Sequence, residues 1–238
     1  MTWLWRICFS LALVPGLLAG ARVSGTVELA DSRDPGVRKH KDYSGVVVWL
    51  DGAGPPPAGP VKTVQMVQKN KRFTPHVLAI QVGTTVDFPN YDPIFHNAFS
   101  NFSGQPFDVG LYPPGTSQKV RFHREGVVRV FCNIHPTMSA VIVVLKTPYF
   151  AVTSRSGAFA IEPAPPGEYT LRVFHERSSE ATLKALERKL TVPPGGIELP
   201  PIRISESGYI QTPHKNKYGL DYPPVPDERV GYPGGRNP

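Results

Sequence analysis

Short runs of alternating apolar and polar residues follow one another along most of the chain, separated by turns that contain glycine or proline. The first two runs are VSGTVEL (23–29) and GVVVWLDG (45–52), with a charged loop between them, and strand signals, including the apolar run SAVIVVL (139–145), recur as far as residue 204. Alternation of this kind, with turns about every eight to twelve residues, predicts the strands of a β-sandwich or barrel. One segment, 178–190, predicts a single short helical turn. The expected fold is therefore all-β.

Three segments lie outside this pattern. Residues 53–60 are rich in proline and glycine and predict an extended linker. Alternation stops after Ile204, and the tail 205–238, rich in proline, glycine and tyrosine, is expected either to be disordered or to lie along the body with its tyrosines as anchors. Residues 1–21 combine Arg6, a short apolar run and small residues at the end. This is the pattern of a secretory signal peptide.

Such a signal would direct the protein to the periplasm or the cell exterior, and cleavage after Ala21 would then remove it. The apolar run of the signal is too short to cross a bilayer, and no second long run follows, so the mature chain is expected to have no membrane span. Cleavage also removes Cys8 and leaves Cys132 as the one cysteine. A lone thiol in an oxidising compartment invites oxidation, so we expect Cys132 to be buried or bound to a metal.

The formal net charge of the chain is +7, and loss of Arg6 with the signal leaves 7 − 1 = +6. This charge favours acidic surfaces on protein partners. The basic residues form short scattered groups without an aromatic platform, and solvated loops explain them better than a nucleic-acid interface does. No nucleic-acid partner is therefore expected.

The segment VFCNIHPTMS (130–139) places Cys132, His135 and Met138 three residues apart, directly after a strand pattern. Two imidazoles and a thiolate with a weak axial thioether form the ligand set of blue copper sites. The best candidate for the second imidazole is His96, which also follows a strand pattern. Zinc is the alternative metal, but a thioether is a poor zinc ligand.

Two neighbouring residues have expected supporting roles. Asn97 is placed to bond from behind the ligands and to hold the two loops together. Pro136 lies beside His135, whose ring edge we expect to reach the surface and to serve as the port for electrons. The remaining histidines are interpreted as structural or surface residues: His40, His76, His123, His175 and His214.

The runs FTPHVLAIQVGTTVDFPNYDPIFHNAFS (73–100) and GVVRVFCNIHPTM (126–138) resemble the cupredoxins, most nearly the short-loop type of amicyanin. The resemblance covers about residues 61–146. It implies a Greek-key β-sandwich that holds one type 1 copper ion. The ligands that it implies are His96, Cys132, His135 and Met138. One departure is Arg124–Gly126, where family members often have Pro-Gly, but this turn supplies no ligand.

The run TSRSGAFAIEPAPPGEYTLRVFHE (153–176) resembles the carboxypeptidase regulatory-like, or transthyretin-like, β-sandwich module, with Ser154 where that family often has aspartate. The module normally opens with strands like those of residues 22–52. We therefore expect residues 22–52 and 147–204 to form one sandwich into which the cupredoxin domain is inserted. The alternative is that the first two strands extend the cupredoxin sheet.

One-electron transfer to a periplasmic redox partner is the function that the cupredoxin resemblance implies. Two other classes stay open: a copper-binding or delivery module without electron cycling, and a binding protein whose cupredoxin domain is a relic. An enzyme is not expected. Multicopper enzymes need further histidine clusters, no H-x-H pair occurs in the chain, and no zinc-peptidase motif is present.

Overall fold

The computed structural model describes residues 21–52, 62–101, 104–209 and 214–222. The predicted linker 53–60 and nearly all of the predicted signal peptide lie outside these residues. The predicted cleavage point after Ala21 falls at the first residue of a strand, where Ala21 is buried and pairs with Ala164.

The structure is 48% strand and 6% helix, which confirms the all-β prediction. Its elements, in chain order, are β1 (Ala21–Ala30), α1 (Pro35–His40), β2 (Val47–Gly52), β3 (Thr63–Gln65), β4 (Val67–Lys69), β5 (Arg72–Thr74), β6 (Val77–Gln81), β7 (Thr85–Pro89), β8 (Phe99–Ser100), β9 (Phe107–Asp108), β10 (Ser117–Arg121), β11 (Gly126–Phe131), β12 (Ser139–Leu145), β13 (Phe150–Val152), β14 (Ala158–Ala164), β15 (Gly167–Phe174), α2 (Glu180–Ala185), β16 (Arg188–Val192), β17 (Ile197–Glu198) and β18 (Ile202–Ser205).

Strands near the beginning and the end of the described residues share sheets. Together they form what we call the terminal sandwich (β1, β2 and β13–β18). In one sheet β1 lies between β14 and the pair β17 and β18, and in the other the order is β13-β2-β15-β16. Side chains alternate between core and solvent along β1, as the sequence pattern predicts, with Val23, Val27 and Leu29 buried. The domain boundaries given above stay a prediction.

Strands β3–β12 form the central sandwich. One sheet has the order β10-β7-β3 and the other β6-β12-β11-β8-β9, while β4 and β5 form a separate hairpin. The large side chains of Met66, Phe88, Phe122 and Ile142 lie in one buried core. This core contains Cys132 and Met138 at its end, so the predicted ligands are part of the packing of the sandwich.

Strand β12 joins the two sandwiches because both of its faces are buried. Ile142 and Val144 lie in the central core, whereas Val141 and Val143 lie in a separate cluster with Val47 of β2. An uninterrupted apolar strand is expected where both faces are covered. The unbroken run SAVIVVL therefore reflects the contact between the sandwiches.

His76 also bridges the sandwiches. Its Nδ1 lies 3.1 Å from the Ser139 carbonyl oxygen, and its Nε2 lies 2.8 Å from a carboxylate oxygen of Glu176. Both neighbours only accept, so the imidazolium form satisfies both contacts, and the hydrogen bond to Glu176 is the largest cause of its raised pKa. The interpretation of His76 as a structural residue agrees with this position.

The segment between the first two strands contains a helix, α1, where the sequence pattern predicts a loop. Asp34 caps the helix by accepting the N–H groups of Gly36 and Val37, and Pro35 starts it. Only Val37 is buried, so no apolar periodicity marks the helix in the sequence. The helical turn predicted within residues 178–190 is confirmed as α2. In the part of the chain that the structure describes, no helix is long and apolar enough to cross a membrane.

Candidate metal centre

The loop between β11 and β12, residues 132–138, carries three of the four predicted ligands, and we call it the ligand loop. The Cys132 N–H donates to the Met138 carbonyl oxygen at 3.1 Å, and the Met138 N–H donates to the His135 carbonyl oxygen at 3.0 Å. These bonds close the loop on itself between two paired strands. Cys132, His135 and Met138 are therefore held together at one end of the central sandwich.

His96 lies between β7 and β8, and backbone pairing with Tyr112 fixes its position. The His96 N–H donates to the Tyr112 carbonyl oxygen at 3.2 Å, and the Tyr112 N–H donates back at 2.9 Å. Both side chains are buried. Phe99 of β8 pairs with Phe131 of β11, so the segment that carries His96 runs beside the start of the ligand loop.

Three of the predicted ligand side chains converge. The Cys132 sulfur lies 3.8 Å from Nδ1 of His96 and 3.7 Å from Nδ1 of His135, and the three atoms lie within 4.8 Å of one another. Metal bonds of about 2.3 Å to sulfur and about 2.0 Å to nitrogen, about 120° apart, separate the two donor atoms by about 3.7 Å. The spacing therefore fits one metal ion held by all three side chains.

The other predicted residues lie on the same two segments of the chain as the three donors. Met138 is fully buried in the same core as Cys132. The side-chain oxygen of Asn97 accepts the Asn133 N–H at 2.5 Å, and a backbone hydrogen bond from Asn97 reaches the Cys132 sulfur. Pro136 is half-buried. Asn97 thus joins the two loops, while the roles of these residues toward a metal stay predictions.

Asp92 belongs to the site, although the sequence patterns do not indicate it. Nε2 of His96 lies 2.8 Å from one carboxylate oxygen of Asp92. The same oxygen accepts the Lys71 N–H at 2.8 Å, and the other oxygen accepts the Asn70 N–H at 2.5 Å. Because a carboxylate only accepts, His96 donates from Nε2 and turns Nδ1 toward Cys132 as the nitrogen available to a metal. The one sequence signal is the four-residue spacing of Asp92 and His96, which is not specific.

Burial and neighbouring groups set the protonation of the three donors. Burial opposes ionisation of Cys132, but hydrogen bonds from His96 and from backbone N–H groups outweigh it and lower the pKa of the thiol. Burial also opposes charge on His96, yet Cys132 and Asp92 together raise its pKa. Burial, followed by the charge of His96, lowers the pKa of His135. Thiolate at Cys132 and neutral imidazole at His135 are the forms that bind a metal.

Large apolar side chains are exposed next to the residues of this centre. Phe95 precedes His96 and is 50% exposed, and Ile134 precedes His135 and is 44% exposed. We call four such residues the apolar rim: Tyr91, Phe95, Leu111 and Ile134. Each of the four comes one position before Asp92, His96, Tyr112 or His135 in the sequence.

No protein-family model and no curated protein matches the chain. Among solved structures, a purple cupredoxin from Nitrosopumilus maritimus is 28% identical over 35% of this chain and 98% of its own, with a TM-score of 0.32. A copper-containing nitrite reductase from Thermus scotoductus is 34% identical over 40% of this chain and 24% of its own, with a TM-score of 0.33. A reduced amicyanin variant is 16% identical over 41% of this chain and 98% of its own, with a TM-score of 0.34.

Proposed function

We propose that this chain is an exported cupredoxin that binds one type 1 copper ion and carries single electrons. The observation that supports this most directly is the convergence of His96, Cys132 and His135 from two segments of the chain. A copper ion bound there would supply the Cu(I)/Cu(II) couple. The protein would hold both imidazoles and the thiolate in place, so that little rearrangement accompanies a change of charge.

The donor set favours copper over zinc. Thiolate and imidazole suit both metals, but the fourth predicted ligand, Met138, offers a thioether, which suits copper better. Met138 is buried beside Cys132 in the core and not exposed on the loop. A buried thioether in the same core as the thiol is available as the weak axial ligand of a copper site.

His135 is the proposed port for electrons. Its side chain is half-buried, whereas His96 is fully buried behind Asp92. The apolar rim beside it would give a partner protein a small, weak contact surface, as transient redox encounters need. The positive charge of the chain favours an acidic surface on that periplasmic partner.

A carrier without enzyme activity is the proposed class. Within the described residues, His96, Cys132 and His135 form the one group of histidine, cysteine or carboxylate side chains with metal-binding spacing. A carrier needs a single site, whereas catalysis by multicopper enzymes needs further ligand clusters. A copper-delivery module remains the rival proposal, because the same residues would bind copper in either role.

The visible spectrum of the copper-loaded protein tests the proposal. We expect an intense thiolate-to-copper charge-transfer band that disappears in Cys132→Ser. His123→Ala is the matched control, because His123 is an exposed histidine of the same sandwich outside the group. Its band should equal that of the unchanged protein.

A colourless protein with ordinary Cu(II) signals would contradict the blue copper proposal. If the band forms, stopped-flow oxidation and reduction separate the two copper roles. Fast electron exchange with retained copper supports the carrier. Rapid transfer of Cu(I) to an apo-acceptor, with a potential outside the range of respiratory partners, would favour delivery.

A further inference from the structure

The C-terminal segment 214–222, which we call the strap, lies against the ligand loop. The Tyr222 hydroxyl donates to the Cys132 carbonyl oxygen at 2.7 Å. The His214 ring stacks on Phe131, the residue before Cys132, with centroids 4.0 Å apart and planes inclined by 26°. The Tyr222 ring also packs edge-on against His214 at 5.1 Å. Both ends of the strap therefore contact the start of the ligand loop.

The middle of the strap completes a closed ring of four hydrogen bonds, which we call the polar ring. The Lys217 N–H donates to the side-chain oxygen of Asn133 at 2.9 Å, and the Asn133 N–H donates to that of Asn97. The Asn97 amide donates to Asp108 at 3.5 Å, and the Lys217 ammonium donates to the other oxygen of Asp108 at 2.8 Å. The ring ties the strap, the ligand loop, the His96 segment and β9 together.

Asn216 gives the strap a fixed shape. Its side-chain oxygen accepts the N–H groups of Tyr218 at 2.9 Å and Leu220 at 3.0 Å, and its own N–H donates to the Leu220 carbonyl oxygen at 2.9 Å. Lys215 and Asp221 pair across the same turn. These local bonds order the segment, so less conformational entropy is lost when it packs on the loop.

Cys132 is consequently held at both of its backbone groups. Its N–H donates to the Met138 carbonyl oxygen, and its carbonyl oxygen accepts from Tyr222. The phenol O–H is the donor in this bond, because a carbonyl oxygen only accepts. The side chain of Cys132 is fully buried, so a reagent or chelator reaches the sulfur only when the loop opens.

We propose that the strap is a working part of the metal centre, in which Tyr222 and Lys217 position Cys132 and restrain opening of the ligand loop. Both are positioning residues, since they act on backbone and on Asn133 and Asp108. The strap would thereby slow exchange at Cys132. For a bound copper ion the inference rests on the proposed function, whereas for the thiol of the metal-free chain it does not.

The test compares Tyr222→Phe with Tyr218→Phe in the full metal-free chain. Both changes remove one hydroxyl from the strap. Tyr222 bonds the Cys132 carbonyl oxygen, whereas Tyr218 is 71% exposed and packs its ring, which Phe keeps, against the Lys217 ammonium at 5.3 Å. The measurement is the rate at which a disulfide reagent modifies Cys132. Loss of one hydrogen bond that stabilises the closed loop should raise that rate about five-fold in Tyr222→Phe, with Tyr218→Phe unchanged. Circular dichroism checks that all three proteins are folded at the temperature of the measurement.

Asn216→Ala provides a second variant that alters no group bonded to the ligand loop. It removes the side-chain oxygen that shapes the turn, so it should also accelerate modification of Cys132. Hydrogen exchange should increase in residues 131–135 of both Tyr222→Phe and Asn216→Ala. If neither variant differs from Tyr218→Phe in thiol reactivity or in exchange, the strap does not restrain the loop and the proposal is wrong.

Copper loading distinguishes this inference from the proposed function. If the protein binds copper with the blue band, Tyr222→Phe should release Cu(I) to a chelator about five-fold faster than Tyr218→Phe. If no band forms, the proposed function fails, but the thiol measurements still decide the role of the strap. Equal release rates together with equal thiol reactivity would overturn the inference even in a blue protein.

Discussion

His96 in the central sandwich and His175 in the terminal sandwich are both buried, and each bonds a carboxylate through Nε2. The partners are Asp92 at 2.8 Å and Glu206 at 2.9 Å. The difference lies at the other nitrogen. Nδ1 of His96 faces the Cys132 sulfur, whereas Nδ1 of His175 is buried without a hydrogen-bond partner among the described residues. A buried histidine–carboxylate pair alone therefore does not indicate a metal site, and the convergence of further donors does.

The surroundings of the two carboxylates differ in the same way. Glu206 accepts hydrogen bonds from Ser32, His175 and Arg177, so its neighbours satisfy its charge completely. Burial opposes that charge, but these donors outweigh it and lower the pKa of Glu206 to about 2. In the terminal sandwich one carboxylate is bound by three donor side chains. In the central sandwich the donor atoms of three side chains are directed at one another.

The largest expected difference between the two regions is in copper binding. His96→Ala should abolish the charge-transfer band, because one of three converging donors is lost. His175→Ala should leave the band intact and lower the free energy of unfolding by about 1–3 kcal/mol, because the buried Glu206 loses a donor. Copper titration followed by visible absorption, with urea unfolding of both variants, measures the two effects. If the charge-transfer band is lost in His175→Ala but kept in His96→Ala, the assignment of the copper site to the central sandwich is wrong.

The acid stability of the terminal sandwich is the next largest effect. The pKa of Glu206 is lowered in the folded chain from 4.5 to about 2. Its ionised form thus contributes about 3 kcal/mol of stability that is fully present above the unfolded pKa and is lost as the pH falls from 4.5 through 2. Glu206→Gln should therefore be much less stable at pH 7, and the gap should narrow at pH 3.

Unfolding of the sandwich that holds Glu206 can be followed by tryptophan fluorescence. In a chain that begins at Ala21, Trp49 of β2 is the one remaining tryptophan. Trp49 packs in the cluster that joins β2 to β12, so urea titrations monitored by its fluorescence report unfolding of the terminal sandwich together with its contact to the central one. The free energy of unfolding of the unchanged protein and of Glu206→Gln should differ more at pH 7 than at pH 3. If the difference is the same at both pH values, the ionised Glu206 carboxylate does not stabilise the fold in this way.

Changing each carboxylate to an amide sharpens the comparison. Asp92→Asn weakens the acceptor behind His96, which should reduce copper affinity about 10–100-fold and raise the reduction potential, because the imidazole becomes a weaker base. Glu206→Gln is the matched control and should leave both quantities unchanged. Competition titration with a copper chelator and voltammetry measure them. Equal affinities in the two variants would show that Asp92 does not support the site.

The smallest expected change is at Met138. Met138→Leu keeps the buried volume but removes the sulfur, so copper should stay bound while the potential rises. Voltammetry and metal analysis of the purified variant test this. Loss of all copper would show that Met138 is a strong ligand or is needed for folding of the loop.

Much of the fold follows from local pattern. Alternation along β1 predicts which of its side chains face the core, and the strand-to-loop position of Cys132 predicts where the ligand loop begins. The helix α1 cannot be predicted in this way, because Val37 is its one buried residue and no apolar periodicity results. The unbroken apolar run of β12 indicates a strand, but its burial against β2 depends on a second sandwich that the run itself does not specify.

The site divides in the same manner. The convergence of Cys132 and His135 can be predicted because their spacing within one loop already limits them to a small volume, and that of His96 because it follows a neighbouring strand pattern. The ligand role of Met138 stays a prediction. Asp92 and Tyr222 cannot be predicted in this way. The contacts of Asp92 with Asn70 and Lys71 and of Tyr222 with Cys132 join segments that only the packing of the chain brings together.

The amino-acid order by itself determines which residues can bind a metal and which faces of the strands are apolar, since both depend on side-chain chemistry and on short-range periodicity. Only the tertiary structure decides that strands from both ends of the chain share sheets, that Asp92 orients His96, and that residues 214–222 cover the Cys132 carbonyl. These contacts join segments far apart in sequence. Their formation depends on the free energy of the whole packed chain, which no local pattern contains.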